Sequence, residues 1–307
     1  VIPERVDASI ATVARQFDRR AANFGRHDAL VREVADRMFE RLAFIRHPAQ
    51  VVLDLGCGQG ACRAALERRF PQARWLGIDL SPSMLASGDT ARGWARIASR
   101  GPLRNWARWL RQRFPGVAAD NRICASAEAL PLPDSSVDMV FSNLMLHWHP
   151  QPHRVVAEIA RVLRVGGLVM FSSYGPDTGK ELRRACAASL ADARPMPFVD
   201  MHDFGDMLVS SGFEAPVMEV DHLDLRFGDA RQLLAEARGL GGNPRADRAR
   251  GLPSGRRARA LLAALAAGAG ADGRLPLHVE VVIGHGWKAP PRAPGVSTIA
   301  LPLGRVR

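Results

Sequence analysis

The stretch Val51-Val52-Leu53-Asp54-Leu55-Gly56-Cys57-Gly58-Gln59-Gly60 decides how the rest of this 307-residue chain is read. A short apolar run stopped by glycines has the pattern of a buried parallel strand that turns straight into a helix. Working outward, further strands are predicted at 74–79, 121–125, 137–142 and 166–173, with helices at 60–69 and 153–163. Later come helices at 177–191 and 201–211, a strand at 216–227, helices within 229–270 and a last strand at 277–286. Such alternation predicts an α/β fold: a doubly wound, Rossmann-like, seven-stranded parallel sheet. Residues 7–46 read as helical and end at His47-Pro48, so a helical segment 1–47 is expected ahead of a domain 48–307. Insertions are expected at 88–120 and 228–275. The first carries Trp94, Trp106 and Trp109 among seven arginines, read as an inserted helix packed by its tryptophans with a solvated basic face.

Composition narrows the class. A hydrophobic content of 47% suits a globular core. The Ala-rich stretch Leu261–Ala267 falls far short of the roughly 20 apolar residues that a membrane span needs. The start, Val1-Ile2-Pro3-Glu4-Arg5, has no basic region leading into an apolar core, and a cytoplasmic protein is expected. Cys57, Cys62, Cys124 and Cys186 form no CxxC pair and read as reduced thiols. The net charge of +11 comes almost wholly from Arg, with Lys only at Lys180 and Lys288, and points to an acidic partner.

The glycine loop implies backbone passing close to a ligand. A dinucleotide fingerprint would read G-x-G-x-x-G, whereas this one reads G-x-G-x-G with Asp54 just before it. A carboxylate there repels a pyrophosphate but suits the ammonium of a methionine moiety, which favours S-adenosylmethionine over NAD. The cofactor-binding candidates are therefore Asp54, Gly56, Gly58 and Gly60. Asp79 closes the second strand, where an acid accepts from both ribose hydroxyls, with Leu80 beside it. Ser126 and Ala127 follow the third strand, at the place where enzymes with such a loop grip adenine and where their usual Asp is Ser126 here, and Asn143 ends the fourth strand on the ligand side of the sheet. Asp138, at that strand's start, reads as structural. His147, His149 and His153 form an H-x-H-x-x-x-H run with no supporting acid at a suitable spacing, so no metal is expected. His147 is read as shaping the pocket mouth.

These residues resemble the class I methyltransferases, and more narrowly the malonyl-acyl-carrier-protein O-methyltransferases of biotin synthesis. The resemblance rests on 51–60, 79, 126–131 and 138–143. It is narrowed by Phe141-Ser142-Asn143-Leu144, Phe171-Ser172-Ser173-Tyr174-Gly175-Pro176-Asp177-Thr178, Phe198-Val199-Asp200-Met201-His202-Asp203-Phe204 and Arg238-Gly239-Leu240-Gly241-Gly242. It implies methyl transfer from S-adenosylmethionine to the free carboxylate of a malonyl thioester on an acidic acyl carrier protein. Tyr174 and His147 would then shape the catalytic pocket. The family's Tyr-Asp is replaced by Phe24-Gly25, so the aromatic closing over the site is Phe24 or Phe17, and Arg183 and Arg238 are the candidates for a carboxylate clamp. Phe17-Asp18-Arg19-Arg20 with Arg32-Glu33-Val34 also resembles the complex I assembly factors that hydroxylate an arginine. A nucleic-acid methyltransferase is disfavoured, because Ser142-Asn143-Leu144-Met145 stands where an amino-methylating tetrad would be.

Overall fold

A computed structural model describes residues 9–87, 121–189, 195–239, 241–245 and 254–291. The tryptophan-bearing insertion 88–120 lies outside the described residues. Seven strands form one sheet: β1 (Val51–Leu55), β2 (Arg74–Asp79), β3 (Arg122–Cys124), β4 (Val137–Ser142), β5 (Leu163–Tyr174), β6 (Phe213–Phe227) and β7 (Leu275–Lys288). Their order is β3-β2-β1-β4-β5-β7-β6. The pairs through β3, β2, β1, β4 and β5 are parallel, as expected. The last strand, β7, runs antiparallel between β5 and β6, which makes the seven-stranded sheet mixed. The winding direction reverses between β1 and β4, and in such sheets the crevice at the carboxyl ends of those two strands receives the ligand.

Side-chain alternation explains the layers. Leu53 and Leu55 of β1 join one buried layer with Val155, Val156 and Ile159 of α5 (Pro152–Val162) and Phe204 and Leu208 of α7 (Met201–Ser210). Val52 joins the opposite layer with Met139 and Phe141 of β4 and with α2 (Ala29–Phe44). Leu30, Val34, Met38 and Leu42 of α2 recur every four positions and, with Ala35 beside them, make one buried helical face. The expected N-terminal segment is thus no appendage, since α2 covers one side of the sheet. Arg37 and Arg41 of α2 fasten it further to Asp221 on β6, at 3.2 and 2.9 Å. Ahead of α2 lie α1 (Ile10–Arg20) and a 3-10 turn, Ala21–Arg26.

Asp138 has the structural part expected of it. Its carboxylate accepts from the N–H groups of Gln50 and Val51, which sets the start of β1. The second insertion forms a smaller apolar layer at the far end of β6 and β7: Leu233 of α8 (Ala230–Gly239) and Leu261 and Leu265 of α9 (Gly255–Ala266) pack with Ala185 of α6 (Lys180–Ser189), Phe227 and Leu277. No helix among the described residues is long and apolar enough to cross a membrane.

Candidate active site

The glycine loop leaves β1 with left-handed backbone at Gly56, Gly58 and Gly60, φ 77°, 52° and 86°. The N–H groups of Gly56 and Cys57 bond to the Ile78 carbonyl at 2.7 and 3.1 Å, which draws the loop against the end of β2. Gly58 N–H donates to Asp79 Oδ2, and Ser81 N–H donates to Asp79 Oδ1, each at 2.8 Å. Ser81 then caps α4 (Pro82–Ala86) by accepting from the Met84 N–H. The loop, Asp79 and the next helix are one hydrogen-bonded unit.

Asp54 lies beneath this unit, 2% exposed, with the Trp75 indole N–H donating to it at 3.3 Å. Burial, opposed only in part by that hydrogen bond and reinforced by the charge of Asp79, raises the Asp54 carboxyl to about 7. Asp79 is raised too, chiefly by burial. Both acids line one cavity with Gly56, Gly58, Leu80, Ser126, Ala127 and Asn143. Its lining among the described residues includes Asp28 as a third acid and no Arg or Lys. Two buried carboxyls in a cavity without a basic wall are a donor set for a cationic ligand. The Ser126 hydroxyl is buried with no hydrogen-bond partner among the described residues, an orphan that a ligand can satisfy.

The other end of the cavity is aromatic. His147, on the turn after β4, packs against Tyr174 at the end of β5 with ring centroids 4.4 Å apart, against Trp148 at 4.8 Å and against Phe198 at 5.8 Å. Trp148 meets Phe17 of α1 edge-on at 5.2 Å, and Phe17 lies 6.2 Å from Phe24. Phe17 and Phe24, alternatives in sequence, both line the cavity.

The chain is similar to known proteins. The family described as "Methyltransferase domain" matches residues 53–171, the span from β1 to β5. The malonyl-[acyl-carrier protein] O-methyltransferase of Laribacter hongkongensis is 43% identical over 90% of this chain and 88% of its own length. That of Methylovorus sp. is 37% identical over 96% and 92%. The chain belongs to the malonyl-[acyl-carrier protein] O-methyltransferase family. The solved structure of the YcgJ protein from Bacillus subtilis, at 16% identity and a TM-score of 0.53 over 84% of this chain and 99% of that one, shares the fold. The chain is thus a methyltransferase, with S-adenosylmethionine as its cofactor.

Not every sequence candidate of this methyltransferase reaches the cavity. Arg183 and Arg238 do not line it. The Arg183 guanidinium holds the carbonyls of Thr178 and Pro176 at 2.6 and 2.5 Å, and Arg238 is exposed on α8, its own carbonyl taking the Arg20 Nε–H at 2.8 Å. Gly60 shapes the turn without lining the cavity. Asn143 does line it, but its amide is already engaged: it donates to the Val31 carbonyl of α2 at 2.8 Å and accepts from the Ser172 hydroxyl at 2.8 Å. His149 lines the cavity beside His147 and lies 3.6 Å from Glu128, whereas His153 is exposed and does not line it.

Sequence reasoning missed Asp18 and Gln59. Asp18 of α1 accepts from the Ser81 hydroxyl at 2.6 Å and the Ser83 N–H at 3.1 Å, and Gln59 donates to the Ala21 carbonyl at 2.7 Å. These contacts seat α1 on the glycine loop and α4, and no local pattern announces partners 63 residues apart. Asp18→Ala is expected to weaken cofactor binding about tenfold by loosening this cover, with a loss of stability of about 1 kcal/mol. Calorimetric titration and thermal unfolding of the variant check both; an unchanged affinity would leave α1 no part in holding the cofactor.

Proposed function

We propose that this methyltransferase esterifies the free carboxylate of a malonyl thioester carried by acyl carrier protein, a step of biotin synthesis. The observation that carries the reading is the polarity of the one cavity: buried acids under the glycine loop at one end, and an uncharged aromatic wall at the other. Asp54 would hold the methionine ammonium of the cofactor, Asp79 the ribose hydroxyls, and Ser126 with Ala127 the adenine. When bound, S-adenosylmethionine supplies an electrophilic methyl group on a sulfonium, which a carboxylate takes with the electron pair left on sulfur and no proton transferred.

A carboxylate is ionised at neutral pH and needs no general base. This agrees with a lining whose single histidine in ring contact with Tyr174 is held neutral by burial, its pKa lowered to about 3. Anion and cation both vanish as ester and thioether form, so an apolar wall that excludes water favours the transition state over the charged reactants. Phe17, Phe24, Trp148 and Tyr174 would supply that wall and align the acceptor, with Phe198 packed behind Tyr174.

The +11 charge suits an acidic carrier. Arg256 and Arg257 at the start of α9 are exposed, whereas Arg248 and Arg250 of the same basic stretch lie outside the described residues. Incubated with S-adenosylmethionine and malonyl-carrier protein, the enzyme is expected to add one methyl group to the malonyl moiety, read by mass spectrometry. The apparent KM is expected to rise with salt while kcat moves less. No methyl gain on the carrier, with a hydroxylated arginine on a partner protein instead, would transfer the reading to the assembly-factor resemblance carried by Phe17-Asp18-Arg19-Arg20.

A further inference from the structure

His147 is 5% exposed and lines the cavity, yet neither ring nitrogen has a hydrogen-bond partner among the described residues. A buried imidazole left without partners loses a few kcal/mol relative to water, and native structures seldom tolerate this unless a ligand completes the bond. Its neighbours Tyr174, Trp148 and Phe198 meet it through their rings.

Strand order says which ligand that is. In β3-β2-β1-β4-β5, Ser126 follows β3, Asp79 ends β2 and Asp54 lies in β1. Three anchors on three successive strands account for the adenine, ribose and ammonium of the cofactor in that order. His147 follows β4 and Tyr174 ends β5, the next two strands across the sheet, beyond the ammonium end. The group that meets His147 is the methyl acceptor rather than the cofactor. Resting on the malonyl reading above, we infer that His147 donates a ring N–H to the acceptor carboxylate and is the residue that positions it for attack.

A neutral donor suits this task better than the arginine clamp expected from the sequence. An ion pair with a guanidinium stabilises the ionised reactant and withdraws charge from the attacking oxygen. An imidazole held uncharged by burial orients one carboxylate oxygen and leaves the other free to react. With no proton transferred in the reaction, the ring acts as a donor and not as an acid or base. The acceptor-end lining among the described residues, which has no Arg or Lys, is consistent with this.

Binding separates the roles without relying on turnover. Malonyl-N-acetylcysteamine, titrated calorimetrically into enzyme saturated with S-adenosylhomocysteine, serves as the acceptor probe. His147→Gln, which keeps an N–H donor, is expected to bind it within about threefold of the wild type, and His147→Leu at least tenfold more weakly. Affinity for S-adenosylhomocysteine is expected to be the same in all three proteins and reports an intact fold; where His147→Leu loses it, His147→Phe takes its place. Equal acceptor affinity in the wild type and the donor-free variant overturns the assignment while leaving the methyltransferase reading standing. A wild type that does not bind the malonyl probe overturns the acceptor reading and this assignment with it.

Discussion

Asp54→Asn is expected to abolish cofactor binding and, in the same protein, to raise the stability of the ligand-free fold at pH 8. The two effects have one cause. The Asp54 carboxyl is buried with a single indole donor and a second acid nearby, and its pKa stands at about 7 instead of the ordinary 3.8. The unfolded chain therefore ionises this group first. Between pH 3.8 and about 7 the folded state loses stability as pH rises, and above that range the whole penalty is in place. Its upper bound is about 4 kcal/mol. An amide of the same shape carries no such penalty, so thermal unfolding of the variant should exceed the wild type at pH 8, with the gap shrinking toward pH 5.

A cationic ligand reverses the account, because an ammonium beside Asp54 favours the carboxylate. Binding of S-adenosylmethionine at pH 7 should then release about half a proton, seen as a buffer-dependent heat, and affinity should fall as pH drops below about 7. The amide variant should bind at least a hundredfold more weakly. Wild-type affinity in the variant would remove Asp54 from the ammonium site. Unchanged stability at pH 8 would show that the carboxyl carries no penalty in the folded state.

Gly56→Ala is expected to do nearly as much damage by a different route. A Cβ built at Gly56 falls 2.4 Å from Cγ and 2.6 Å from Cβ of Met145, and the backbone there is left-handed, φ 77°. Met145 precedes the turn that carries His147 and Trp148, so displacing it moves the aromatic wall as well as the loop. The variant should lose about 2–4 kcal/mol of stability and at least tenfold in cofactor affinity. Gly60→Ala is the control: its φ of 86° is equally strained for a side chain, but nothing lies within 4 Å of the added Cβ. It should cost about 1 kcal/mol and leave affinity within threefold. Similar losses in the two variants would mean that backbone strain alone, and not the approach of Met145, makes Gly56 necessary.

The half of the site that was legible in sequence is the half built by local geometry. Asp54, Gly56, Gly58 and Asp79 sit on strand ends and a tight turn, where apolar period and glycine spacing dictate both the element and the direction in which it ends. Ser126 follows β3, and its hydroxyl is buried without a hydrogen-bond partner among the described residues. The arginines were misplaced for the opposite reason. An arginine in a chain holding forty-two basic residues carries no pattern that distinguishes a clamp from a surface charge, and Arg183 proved to be tying down the 176–178 turn.

By itself the sequence determined the class of fold, the strand and glycine turn that open on the crevice, and the acidic character of that turn, since each depends on residues within a few positions of one another. The antiparallel entry of β7, the seating of α1 on α4 by Asp18, and the wall in which Tyr174, Phe198 and Phe17 surround His147 and Trp148 were decided only by the tertiary structure. These join residues tens to more than a hundred positions apart. Such groups meet only because burying apolar faces on both sides of the sheet brings the N-terminal helices and the ends of β4 and β5 to the same crevice.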